Sequence, residues 1–224
     1  MFKTLLIAII VLFLIPVFSF GQYAYRLQAD ILTKTRMPDS TFQISNGKIH
    51  YDKNHKKIIF DFTFPEKEKV VLFDTIMYHF NNDSLVKTSK NMLIPDQSVF
   101  HFIMSGNLSN FGFENANFEA TSIDKKNGLV ITTWTPPEML QEHISKVLVA
   151  TKDKQLYSIT LFDSSGNVMN RQILKKYQWI DNIEVPHEIL IATYTETGTM
   201  YQIIALKNVK LNEEGNNEAY NYEL

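Results

Sequence analysis

The chain has no cysteine among its 224 residues. A disulfide framework, a thiolate metal site, a cysteine nucleophile and a lipidated N-terminal cysteine are excluded together. Neither sign of charge dominates, with 22 Lys and Arg against 24 Asp and Glu. A balance this close to neutral recommends neither nucleic acid nor an anionic membrane as a partner. The motifs of common catalytic and nucleotide sites are missing as well, since there is no Gly-x-Ser-x-Gly elbow and no phosphate loop. The histidines, His50, His55, His79, His101, His143 and His187, form no His-Glu-x-x-His pattern and no i,i+4 helical pair. A zinc site would have to be assembled from distant residues, and the sequence implies no enzyme, no cofactor and no metal.

There is one long apolar run, Leu5 to Phe18, behind the single positive charge of Lys3. It is shorter than the roughly 20 residues of a spanning helix and is interrupted by Pro16. With small residues at Ser19 and Gly21, this predicts a secretory signal peptide over residues 1–21, cleaved after Gly21, ahead of a single domain over 22–224.

The rest alternates between short β-runs and turns. Runs rich in Val, Ile, Phe, Tyr and Thr span Tyr25–Thr35, Thr41–Ser45, Lys48–Tyr51, Lys57–Phe64, Val70–Asp74 and Ile76–Phe80. After a gap they resume at Phe118–Ile123, Leu129–Thr135, Lys146–Thr151, Leu156–Asp163, Val168–Trp179, Glu188–Thr195 and Met200–Leu211. Turn signals stand between runs at Asn46-Gly47, Asn81-Asn82-Asp83, Asn127-Gly128, Ser164 to Asn167 and Thr197-Gly198. Tight turns between consecutive strands imply antiparallel pairing and one large meandering sheet. Two segments depart from this pattern. Residues Pro95 to Leu108 carry apolar side chains at three- and four-residue spacing, which predicts a short helix, and Thr135 to His143 predicts a chain turn followed by a second helical piece. The closing Tyr220 to Leu224 alternates like an edge strand.

Phe60, Phe62 and Phe64 line one face of their run and Asp61 and Thr63 the other. The same asymmetry recurs at Ile76/Tyr78/Phe80, at Tyr157/Ile159/Leu161, at Ile189/Ile191 and at Ile203/Ala205. A sheet this long has more apolar face than two short helices cover. It must close on itself, double into a sandwich, or keep a cavity that takes something apolar. Lys53, Lys56 and Lys57 make a basic turn beside His55, read either as a solvated hairpin tip or as a contact for an acidic partner or lipid headgroup.

The order of these segments is familiar. Leu27 to Lys34, Ser45 to Lys53, Ile59 to Glu68 and Val71 to Phe80 together resemble the opening of the LolA-type outer-membrane lipoprotein carriers, with a Gly-x-hydrophobic-x-hydrophobic strand and an aromatic strand ending in Pro65. Lys53-Asn54 stands where those carriers have Arg-Pro. The resemblance implies a mainly β fold, an unclosed antiparallel half-barrel whose concave apolar face is covered by short helices. It further implies a non-enzymatic periplasmic carrier that shields acyl chains of lipoproteins or other lipids, acting as a monomer between an inner-membrane release complex and an outer-membrane acceptor. On this basis the expected lipid-binding residues are Ile49, Tyr51, Phe60, Phe62, Phe64, Ile76, Tyr78, Phe80, Val99, Phe100, Ile103 and Met104. Lys53, Lys56 and Lys57 are expected to meet a headgroup or partner. The alternatives are an envelope sensor of the same shape, or a secreted β-sandwich with a filled core and no ligand.

Overall fold

The computed structural model describes residues 24–90, 98–104, 113–114, 117–213 and 215–220. The expected signal peptide lies outside these residues, as do the ends of the Pro95–Leu108 segment and residues 221–224 of the expected last strand.

The first half of the chain contributes β1 (Arg26–Arg36), β2 (Phe42–Asp52), β3 (Lys57–Phe64), β4 (Glu68–Phe73), β5 (Ile76–Asn81) and β6 (Ser84–Lys90). A helix, α1 (Val99–Met104), precedes β7 (Glu119–Lys126) and β8 (Leu129–Thr135). After α2 (Glu138–Gln141) come β9 (Ile144–Lys152), β10 (Gln155–Asp163), β11 (Val168–Ile180), β12 (Ile183–Thr195) and β13 (Gly198–Leu211), and α3 (Asn217–Tyr220) follows. Asn82-Asp83, Asn127-Gly128, Asp153-Lys154 and Asp181-Asn182 all have positive φ, the backbone that two-residue hairpin turns require.

All described strands join one 13-stranded antiparallel sheet, ordered β6-β5-β4-β3-β2-β1-β13-β12-β11-β10-β9-β8-β7. Two meanders are thus welded where β1 meets β13. The topology has a direct consequence. The edge strands β6 and β7 are consecutive in the chain, so the segment joining them must travel from one edge of the sheet to the other. The described helix of that segment, α1, packs against β1 and β12 near the middle of the sheet. The sheet is an open half-barrel with its helix laid across the concave face, as the sequence implies.

Register fixes which side chains share a face, because residues paired across strands point the same way. Leu27 pairs with Tyr51 and Tyr51 with Ile58, while Ala29, Ile49 and Phe60 form the next row. These rows belong to the main buried cluster with α1 and mark the concave face. On the later strands Ile204 and Leu206, Ile189, Leu174, Ile159, Val149 and Val147 continue it.

Several sequence expectations are corrected. Asn46-Gly47 is no turn but lies mid-strand in β2, where β2 and β3 approach so closely that a Cβ on Gly47 would stand 2.1 Å from the Asp61 carbonyl oxygen. The polar β6, SLVKTSK, is not among the expected strands, because an edge strand with few apolar residues carries no alternation signal. Ile203 and Ala205 face outward, and their neighbours Ile204 and Leu206 face the core. Tyr220 ends the helix α3 instead of opening a strand.

Candidate functional site

The apolar concave face under α1 is the candidate site. Ser98 caps the helix, its Oγ accepting from the His101 backbone N–H at 3.2 Å. Val99, Phe100, Phe102, Ile103 and Met104 are all buried, so the helix is apolar on nearly every side and seated in the face. The Tyr51 ring lies 6.4 Å from that of Phe100, and the Tyr51 hydroxyl is 2.9 Å from Nδ1 of His101. A hydroxyl from β2 therefore holds the one helix side chain that carries a polar ring.

The second half of the sheet is filled by aromatics. Phe113 stacks on Phe102 at 4.9 Å and on Trp134 at 5.2 Å, with Phe118 edge-on at 5.1 Å. Between Phe102, Phe113, Phe118, Ile144, Val147, Ile159 and Leu161 about 10 Å³ of free space remains, no more than a single water needs. In this state the chain's own aromatics occupy the face. An apolar ligand entering between these residues must displace them.

The face is not apolar along its whole length. Beyond the Thr33–Ile204 pair, the row that contains Thr35, Gln202, Ile191 and Gln172 is largely polar. Gln202 donates to Thr35 Oγ1 at 3.3 Å, Gln172 to Asn170 Oδ1 at 3.1 Å, and Asn170 to Thr193 Oγ1 at 3.1 Å. One end of the trough is thus greasy and closed by α1, while the other presents amides and hydroxyls.

Of the residues expected to line a cavity, Ile49, Tyr51, Val99, Phe100, Ile103 and Met104 are in the core cluster, and Phe60 and Phe62 pack against it with stacked rings 6.0 Å apart. Phe64 is separated from them. A bulge between Asn46 and Gly47 pairs Phe64 with Asn46 instead of continuing the alternation, and leaves it 50% exposed. Ile76, Tyr78 and Phe80 are on the opposite, convex face. Tyr78 pairs with Val71 and Val71 with Ile59, and these form a second buried cluster with Phe80. Ile76 pairs with Phe73, which shares that face with Lys57. The sequence does not single out Phe113, Phe118 or Trp134 as site residues. For Trp134 the parity of Thr132 and Trp134 in LVITTWT is the signal that could have found it.

Lys53, Lys56 and Lys57 sit around the β2–β3 turn, at the end of the strands away from the polar row. Lys56 has a φ of 50°, and Lys57 Nζ lies 5.2 Å over the Phe73 ring on the convex face. His55 in the same turn is held by Asp52, whose Oδ2 is 3.0 Å from its Nδ1. Burial works against the Asp52 charge, but hydrogen bonds from Arg26 and His55 outweigh it and keep the carboxyl below its usual range. Burial lowers the pKa of His50, on the convex face beside Tyr220, and raises that of Tyr220 to about 12. Among the described residues no group of His, Asp and Glu could hold a metal ion.

No protein-family profile matches the chain, and no curated protein matches it. Solved structures do. A DUF1329 family protein from Desulfovibrio piger superposes with a TM-score of 0.65 at 11% identity, covering 90% of this chain and 92% of its own. A LolA superfamily protein from Nitrosomonas europaea gives 0.59 at 13% identity over 86% and 88%. A domain named for outer-membrane lipoprotein sorting, from Vibrio parahaemolyticus, gives 0.52 at 12% identity over 88% and 89%. At such identities the likeness is one of fold, and the fold of this chain is the open half-barrel of the LolA type.

Proposed function

We propose that the protein is a non-enzymatic envelope carrier that shields the acyl chains of a lipoprotein or another lipid on its concave face. The observation that carries this is the way the face is covered. Among the described residues a 13-stranded sheet is covered by a six-residue helix and a cluster of aromatics, and by no second sheet. That cover is made largely of apolar side chains, so acyl chains can take its place, each buried methylene contributing about 0.8 kcal/mol. The polar row at Thr35, Gln172 and Gln202 gives an amphiphile a direction, with chains under α1 and ester or headgroup atoms toward the amides. A leader over residues 1–21, removed after Gly21, would deliver the mature chain to the periplasm, and the lipoprotein-sorting name of one fold neighbour supports the same compartment. The cargo would be received from an inner-membrane release complex and passed to an outer-membrane acceptor, with Lys53, Lys56 and Lys57 as a contact for one of them.

Native mass spectrometry of the protein isolated from its own cells, followed by extraction and lipid analysis, tests this. A bound acylated species that is lost in Phe62→Glu, with the β-sheet circular dichroism retained, supports a carrier. A ligand-free mass, and no uptake of a fluorescent fatty acid by the wild-type protein, would mean that the concave face is ordinary core.

A further inference from the structure

The convex face carries an exposed apolar patch on its central strands. Register places Phe42, Arg36, Tyr201, Ala192 and Arg171 in one cross-strand row. The adjacent row runs Ile44, Lys34, Ile203, Leu190 and Ile173. Phe42 is 73% exposed and Tyr201 50%, with Ile44 and Ile203 also open to solvent. Phe64, turned out by its bulge, joins the patch beside Asn46. Apolar side chains clustered on this scale mark an interaction surface.

Charge and shape together select the occupant. The charged residues of the two rows are Lys34, Arg36 and Arg171, and none is acidic. Glu188, in the next row, is paired with Lys176 at 2.6 Å, and the acidic Asp39 and Glu196 lie in the flanking turns, outside the two rows. The overall charge of −2 hides this local excess. Aromatic and aliphatic side chains interleaved with Lys and Arg are the composition of a surface that lies in a lipid headgroup layer. The strands β2, β1, β13 and β12 are also the middle of the sheet order, so the patch forms a crown on the convex face of the central strands, at their ends beside the β1–β2 turn.

We infer that the crown formed by Phe42, Ile44, Tyr201 and Ile203, with Lys34 and Arg36, docks the protein on an anionic bilayer surface. Docked this way, the concave face points away from the membrane and stays open to a partner. This inference stands on the convex face alone and does not depend on what the concave face holds.

The absence of cysteine allows a clean test in the full chain. Single cysteines replacing Ile44 or Tyr201 on the crown, and Val86 or Ile123 on exposed edge strands, are labelled with a polarity-sensitive fluorophore. Each labelled protein is mixed with vesicles of phosphatidylglycerol and phosphatidylethanolamine, or of phosphatidylcholine. The expected result is a blue shift at positions 44 and 201 with the anionic vesicles only, and none at 86 and 123. Lys34→Glu with Arg36→Glu should lower vesicle affinity about ten-fold or more at low salt. No shift at 44 and 201, or an equal shift at all positions, overturns the inference. So does an equal shift with phosphatidylcholine. A shift that appears without vesicles and grows with protein concentration would identify a second copy as the occupant and equally overturn it.

Discussion

Arg26→Met offers a quantitative test of how the end of the half-barrel is locked. Arg26 and Asp52 are cross-strand partners on the convex face, with Nε 2.8 Å from Oδ2 and side chains 11% and 1% exposed. The guanidinium also lies 4.6 Å over the Tyr220 ring and donates to Asn217 Oδ1 at 2.6 Å, tying α3 to the sheet. Removing it leaves a buried carboxylate with only its His55 contacts, which costs about 3–5 kcal/mol. For a chain of this size that corresponds to a fall in Tm of roughly 6–20 °C. Urea unfolding of Arg26→Met, Asp52→Asn and the double variant measures it, and the double variant should be more stable than the two losses summed. The pH dependence follows from the depressed Asp52 pKa. Its contribution is complete above the unfolded value of 3.8 and is lost as pH falls through the lower folded value. His50, lowered by burial, adds an earlier loss as pH falls below 6.5. Arg26→Met should flatten the acid limb that belongs to Asp52. A cost below about 1 kcal/mol, or an unchanged cost in the Asp52→Asn background, would refute a buried, coupled pair.

Other outcomes follow from the strand geometry. Gly47→Ala should destabilise by about 1–3 kcal/mol or more, read by thermal melting, because the new methyl meets the Asp61 backbone at 2.1 Å. Phe62→Glu should abolish uptake of a fluorescent fatty acid while Phe64→Glu leaves it intact, since only Phe62 packs against the concave core. Tyr78→Ser should likewise spare uptake and lower stability, measured by urea titration, because Tyr78 packs on the convex cluster of Ile59, Val71 and Phe80.

The sequence carries the strands and the helix well and their faces unevenly. Phe60-Asp61-Phe62 alternates cleanly, so its buried side was legible. Where two apolar residues stand together, as in Ile58-Ile59 and Ile203-Ile204, period two does not choose between faces. The partner strand decides, and Ile58 and Ile204 go to the concave core while Ile59 goes to the convex cluster. Bulges break the pattern further. The one at Asn46/Gly47 turns out Phe64, and the irregularity between Gln28 and Asp30 resets β13 against β1. Tyr78 and Phe80 fall on the convex face for a related reason, since their alternation is real but that face is also partly buried. The aromatic plug is not legible because Phe113 lies outside any strand, and Phe118 and Trp134 meet it only once β7 and β8 pair at that end of their hairpin.

The most direct test of the central claim is photocrosslinking with a fatty acid that carries a diazirine on its chain, followed by mapping of the adducts. The account predicts adducts on Phe60, Phe62, Tyr51 and the 99–104 helix, competed by unlabelled fatty acid. Adducts confined to the convex face, or none that unlabelled fatty acid displaces, would contradict it.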